Sequence, residues 1–286
     1  MVRDVLDGVR VVSLAVNIPG PLAAARLAGL GAMVTKVEPP GGDPLAAVAP
    51  DWYVDLVRNQ TVLVLDLKDS GDRAKLDVEL AGADLFLTST RPAALRRLGL
   101  DGANQRFLGL SHVEIVGYDG DLEDRPGHDL TYQAAHGTLQ PPLMPTVPVV
   151  DLLGAERAVS AALLALLAKA GSGAGQTHRV VLADAAADAG AAVRYGISGP
   201  GDPLGGATPT YGIYPSADGY LAVGAIEPHF RERTLTALGA ADTREDLARI
   251  FAGHSTRHWE ELAAKVDIPL TGIAGTPVTC EQGAKS

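Results

Sequence analysis

Three ionisable side chains sit where a chain can present them to a small molecule. His128 lies in Arg125-Pro126-Gly127-His128-Asp129, a turn leading into a helix; Asp151 starts a long Ala/Leu helical stretch; Glu227 follows the apolar run 221–226 and precedes Pro228. Imidazole and carboxylate groups move protons near neutral pH, and a carboxylate can also act as a nucleophile. Each residue has a plainer role as well. His128 could line a surface turn, Asp151 could cap its helix through the free N–H groups and the dipole, and Glu227 could be a surface charge at a strand end. Spacing alone leaves these roles open. No metal-ligand spacing stands out among the seven histidines. The Gly20-Pro21 turn opens a helix, but it is neither GxGxxG nor a phosphate-binding loop.

The elements that must position these residues alternate. Residues 9–15 form an apolar run fit for a buried parallel strand, an Ala/Leu helical stretch ends near Gly31, and 32–38 reads as the next strand, closed by Pro39-Pro40-Gly41-Gly42. That is a βαβ unit. Strand patterns follow at 61–66, 84–88, 113–117 and 178–182, with helices at 71–81 and 151–168. The alternation predicts a mostly parallel, doubly wound (Rossmann-like) sheet covered on both faces. The Gly/Pro-rich segment 199–209 reads as a linker. Short strands over 210–230 and helices over 231–265 then make a smaller α+β unit. The expected organisation is a large α/β domain at 1–198, the linker, and a small domain at 210–286.

Composition narrows the function classes. With 286 residues, 47% hydrophobic and 20% charged, the chain can bury a sizeable core. A net charge of −10 with no Lys/Arg run argues against nucleic-acid binding. Cys280 is the only cysteine, so no disulfide framework or cysteine metal site is expected. The N-terminus lacks signal-peptide order, and the longest apolar stretch, 158–168, is too short to span a bilayer. The expectation is a soluble cytoplasmic protein without membrane partners.

Taken together, the motifs resemble the family III CoA-transferase (CaiB/BaiF) superfamily. The resemblance rests on Leu6-Asp7-Gly8-Val9-Arg10, Pro19-Gly20-Pro21, Leu27-Ala28-Gly29-Leu30-Gly31-Ala32, Lys36-Val37-Glu38, Arg58-Asn59, Leu65-Asp66-Leu67-Lys68, Arg91-Pro92 and Arg97-Leu98-Gly99-Leu100. Gly127-His128-Asp129, Val150-Asp151 and Gly173-Ala174-Gly175-Gln176 continue in register. Within that superfamily the chain looks like the α-methylacyl-CoA racemases. These have the histidine in a Gly-His-Asp motif, where transferases usually have tyrosine or another residue, and a segment similar to 218–230 here.

The resemblance implies a racemase or epimerase that moves the α-proton of a 2-methylacyl-CoA, or a related acyl thioester, through an enolate. His128 would serve one face, supported by Glu227, and Asp151 the other. The backbone N–H near Asp129 would hold the enolate oxygen, while Leu65, Lys68, Arg91 and Arg97 would hold CoA. No metal or separate cofactor is implied, since CoA belongs to the substrate. The partners implied are an acyl-CoA or carrier-protein thioester and a second copy, in an interlocked homodimer. The alternatives are CoA transfer with Asp151 as nucleophile, a pathway-specific isomerase or cyclase, or a catalytically dead binding relative. The sequence departs from the family pattern at Pro39-Pro40 and Gln60-Thr61, between Asp129 and Asp151, and after Thr276-Pro277-Val278.

Overall fold

A computed structural model describes residues 5–275. Cys280 and the Pro277-Val278 pair lie outside the described residues. The chain divides into two compact units between Gly190 and Ala191.

In the first unit, six strands form one parallel sheet: β1 (Arg10–Ser13), β2 (Met33–Glu38), β3 (Gln60–Val64), β4 (Leu85–Thr88), β5 (Ser111–Val116) and β6 (Thr177–Val181). Their order is β3-β2-β1-β4-β5-β6, and every neighbouring pair is parallel. The helices are α1 (Pro19–Gly29), α2 (Pro44–Val48), α3 (Pro50–Val57), α4 (Ser70–Ala81), α5 (Pro92–Arg97), α6 (Ala103–Arg106), α7 (Asp129–Ala135), α8 (Val149–Ser172) and α9 (Leu182–Ala189). This is the doubly wound α/β architecture that the strand–helix alternation predicts.

Strand pleating explains why both faces are covered. Successive side chains point to opposite sides, so Val11 joins Ala23, Leu27, Ala155, Ala158 and Ala162 in one core. Val12 joins Leu76, Leu80, Phe86 and Leu95 in the other. The alanines let helices approach closely. At Gly154 of α8, an added Cβ would lie 2.3 Å from Leu182 Cδ2, so a side chain there would force Leu182 to move.

The strand order reverses between β1 and β4. At such a switch point the loops leaving the two strands diverge and open a crevice beyond their carboxyl ends. Two contacts hold it: Val16 N donates to Ser89 Oγ at 2.9 Å, and Ser89 Oγ donates to Val16 O at 3.3 Å.

The second unit carries α10 (Ala191–Arg194), α11 (Pro228–Leu238), α12 (Arg244–Phe251) and α13 (Thr256–Val266). Strands β7 (Tyr211–Pro215), β8 (Tyr220–Gly224) and β9 (Leu270–Gly272) form an antiparallel sheet. Its core gathers Tyr214, Leu221, Val223, Leu247, Phe251 and Trp259. The segment 199–209, expected as a linker, is a hydrogen-bonded part of this unit. Asp202 accepts from Gly199 N at 2.8 Å, and Leu204 N donates to Ile197 O at 2.8 Å. Its glycines and prolines serve tight turns that sequence composition cannot distinguish from a flexible connection.

Candidate active site

The crevice at the switch point is a cavity of about 310 Å³ lined from five directions. Val16 and Asn17 come from the loop after β1, Ser89 and Arg91 from the loop after β4, and Gly117 from the end of β5. Arg125 to His128 and Tyr132 come from the segment entering and forming α7, and Asp151 from the first turn of α8.

A buried ion pair fixes the first of these loops. Lys36 Nζ donates to Ala15 O at 2.9 Å and to Asp43 Oδ2 at 2.8 Å, with both side chains fully buried. Asp43 Oδ1 accepts from Asn17 N and Leu45 N, each at 3.0 Å. Asn17 is held with φ +69°, a left-handed conformation that asparagine tolerates better than most residues. Glu38 Oε1 lies 3.4 Å from Lys36 Nζ and accepts from the Tyr53 hydroxyl at 2.7 Å. Burial, then this bond, push the Tyr53 hydroxyl well above its ordinary range.

Asp151 does not cap α8. The helix begins two residues earlier, at Val149, and its cap comes from α7. Asp129 Oδ1 accepts from Val150 N at 2.8 Å and from Asp151 N at 3.1 Å. Gln133 clamps this carboxylate, donating from Nε2 to Asp129 Oδ2 at 2.5 Å and to Val147 O at 3.3 Å. The helix N–H groups therefore serve Asp129, and no described residue donates a hydrogen bond to the Asp151 carboxyl. Burial, then the neighbouring Asp129 charge, push the Asp151 carboxyl up to about 7. Near neutral pH it is divided between acid and base forms, as a proton carrier must be.

His128 precedes α7, where its N–H donates to Thr131 Oγ1 at 3.0 Å. The imidazole is exposed and lines the same cavity as Asp151. Asp129 was expected near the enolate oxygen through its backbone N–H. As the first residue of α7, that N–H has no acceptor within the helix, whereas the Asp129 carboxylate is committed to α8. Glu227 belongs to the second unit, where it precedes α11 with an exposed side chain that makes no capping bond.

The residues expected to hold CoA separate. Arg91 lines the cavity with His128 and Asp151. Leu65 and Lys68 line a second cavity of about 290 Å³ beyond the carboxyl ends of β1 to β4, with Leu14, Val37, Pro39 and Leu98. Arg97 is exposed in the last turn of α5 and lines neither. Among the described residues, no group of three or more His, Cys, Asp or Glu side chains could hold a metal ion. No described helix is long and apolar enough to cross a membrane.

Residues 6–276 match the family described as CoA-transferase family III. The chain belongs to that family. It is 27% identical to a protein named as a probable fatty acyl-CoA transferase of Mycobacterium tuberculosis, over 95% of this chain and 78% of that one. It is 31% identical to the succinate–glutarate CoA-transferase of Agrobacterium fabrum, over 84% of this chain and 68% of the relative. The α-methylacyl-CoA racemase of Mus musculus is 30% identical, over 94% of this chain and 77% of the relative. A crystal structure of the M. tuberculosis protein has the same fold, with a TM-score of 0.78, 24% identity, and coverage of 96% of this chain and 86% of that one.

Family III thus includes transferases and a racemase, and the motifs shared with it do not point to every residue of the cavity. Asn17, Ser89 and Tyr132 of the cavity, and Gln133 beside it on Asp129, escaped the sequence reading. A signal existed for Gln133: it stands four residues after Asp129 on one helix, a spacing at which a Gln side chain meets an Asp.

Proposed function

We propose that this chain moves the α-proton of a 2-methylacyl-CoA or related acyl thioester, as a racemase or epimerase. The observation that carries this reading is the shared cavity of His128 and Asp151, with the Asp151 carboxyl pushed up to about 7. An α-proton is weakly acidic, so its removal needs a positioned base and a stabilised enolate oxygen. One base takes the proton from one face; the other returns a proton to the opposite face. Leu65, Lys68, Arg91 and Arg97 are assigned to CoA, the Asp129 N–H to the enolate oxygen, and Glu227 to support of His128. The working unit is a homodimer. CoA enters as part of the substrate, with no separate cofactor.

A second reading is CoA transfer with Asp151 as nucleophile. It is favoured by the M. tuberculosis and A. fabrum relatives, both named as transferases. Attack of the carboxylate on the thioester carbonyl would expel CoA thiolate and leave an acyl anhydride on Asp151. The test is incubation of acyl-CoAs in deuterated water, with hydroxylamine trapping in parallel. Deuterium at the α-carbon with no adduct on Asp151 supports proton transfer. An Asp151 adduct without deuterium uptake replaces it with the transferase.

A further inference from the structure

Tyr132 stands one helical turn after His128, and neither the family motifs nor the proton-transfer reading uses it. Its side chain is only 2% exposed, yet it lines the cavity that holds His128 and Asp151. No described residue forms a hydrogen bond with its hydroxyl. The ring is buried while the hydroxyl oxygen opens into the cavity, where it is free to donate to a bound molecule.

Two glycines make the room for this hydroxyl. A Cβ added at Gly117 would lie 2.3 Å from Tyr132 Oη, and one added at Gly127 would lie 2.5 Å from it. Neither glycine has a positive φ, so backbone conformation does not require glycine at either place. Space for the phenol does. Gly117 and Gly127 themselves line the cavity, which puts the hydroxyl end of Tyr132 at its wall. The ring is held from behind by an edge contact with Tyr118, with centroids 5.3 Å apart. Burial first, then Tyr118 and the Asp151 charge, push the hydroxyl up to about 12. It therefore keeps its proton under working conditions and can only donate toward a developing anion.

We propose that Tyr132 Oη donates a hydrogen bond to the carbonyl oxygen of the bound acyl thioester and stabilises the negative charge that builds there. The assignment rests on the acyl-thioester reading and serves either chemistry. In proton transfer, the C–H electron pair becomes the new Cα–C π bond as the base takes the proton, and the carbonyl π pair moves to oxygen. Reprotonation at the α-carbon returns that pair, and the phenol proton stays on Tyr132 throughout. In the transferase route, attack by Asp151 sends the same π pair to the same oxygen before thiolate leaves.

The experiment uses full-length protein with isobutyryl-CoA, following α-proton exchange in deuterated water and CoA exchange into free isobutyrate, together with CoA binding by calorimetry. Tyr132→Phe keeps the ring and removes only the donor. The expected result is a fall in kcat of about 10²–10³-fold, the range for loss of one oxyanion donor, with KM and the CoA dissociation constant within about threefold, as for a contact made in the transition state. Gly127→Ala, which crowds the hydroxyl, should reproduce the kcat loss. A Tyr132→Phe enzyme within threefold of wild type in kcat overturns the proposal. So does a parallel loss of CoA binding, which would assign Tyr132 to packing of the cavity. A wild-type protein inactive in both assays is a separate outcome: it removes the acyl-thioester reading, and this assignment with it.

Discussion

The carboxylate of Asp129 accepts the backbone N–H of Asp151 at 3.1 Å while its charge helps to raise the Asp151 carboxyl to about 7. One residue thus caps the helix that carries the proposed proton carrier and sets part of that group's protonation. Asp129→Asn keeps an acceptor for the helix N–H groups and removes the charge. The acid limb of the pH–rate profile should then move down by up to about one unit, within the range for a neighbouring like charge. An unmoved profile would show that burial alone raises Asp151.

Asp151 should limit stability at high pH. Its carboxyl binds a proton more tightly in the folded chain, about 7 against an ordinary value near 4. Its favourable contribution is therefore complete below pH 4 and is lost as the pH rises through 7. Asp151→Asn should unfold at higher urea concentration than wild type at pH 8, by on the order of 2 kcal/mol after allowance for partial solvent screening. At pH 3 the two should coincide. Equal stabilisation at both pH values would refute the assigned shift.

The two proposed bases should be distinguishable by substrate handedness. His128→Ala should slow deuterium exchange from one enantiomer about 10²–10⁴-fold more than from the other, and Asp151→Ala should show the opposite preference. Glu227→Gln should resemble a weaker His128 variant. Equal losses from both enantiomers in every variant would argue against opposed bases.

His112 gives a second, independent pH dependence. It is fully buried, its Nε2 pairs with Thr88 Oγ1 at 3.0 Å, and its Nδ1 lies 3.6 Å from Glu114 Oε1, too far for a hydrogen bond. Burial first, then the Arg179 charge, push it down to about 4. Its contribution to stability is present above its ordinary value near 6.5 and is lost as the pH falls toward 4. Between pH 7 and 4.5 wild type should lose about 2–3 kcal/mol more than His112→Leu, measured by urea unfolding. Parallel losses in the two proteins would exclude His112 as the source.

Lys36→Met should leave Asp43 and Glu38 buried without their cation, at a cost of about 3–5 kcal/mol. Because Asp43 also holds Asn17 N, the loop at the switch point should loosen. Faster amide hydrogen exchange at residues 15–17 would report it, and unchanged protection would place that loop under other control.

Strand and helix periodicity within residues 9–182 was sufficient to determine the parallel, doubly wound sheet, because alternation and Ala/Leu runs are local properties that one burial pattern satisfies. The motifs around His128 and Asp151 likewise marked residues that share a cavity. Their electrostatics required the tertiary structure. Asp151 was expected as a possible cap, but Asp129, 22 residues earlier, takes the helix N–H groups instead. No local spacing specifies which of two carboxylates receives them. The role of Gly117 and Gly127 was hidden for the same reason: one reads as the end of a strand and the other as part of a turn, and only the packed chain shows the Tyr132 hydroxyl that crowds the missing Cβ positions. Protonation and close packing depend on groups brought together from distant parts of the chain, and these are decided when the sheet and its helices assemble.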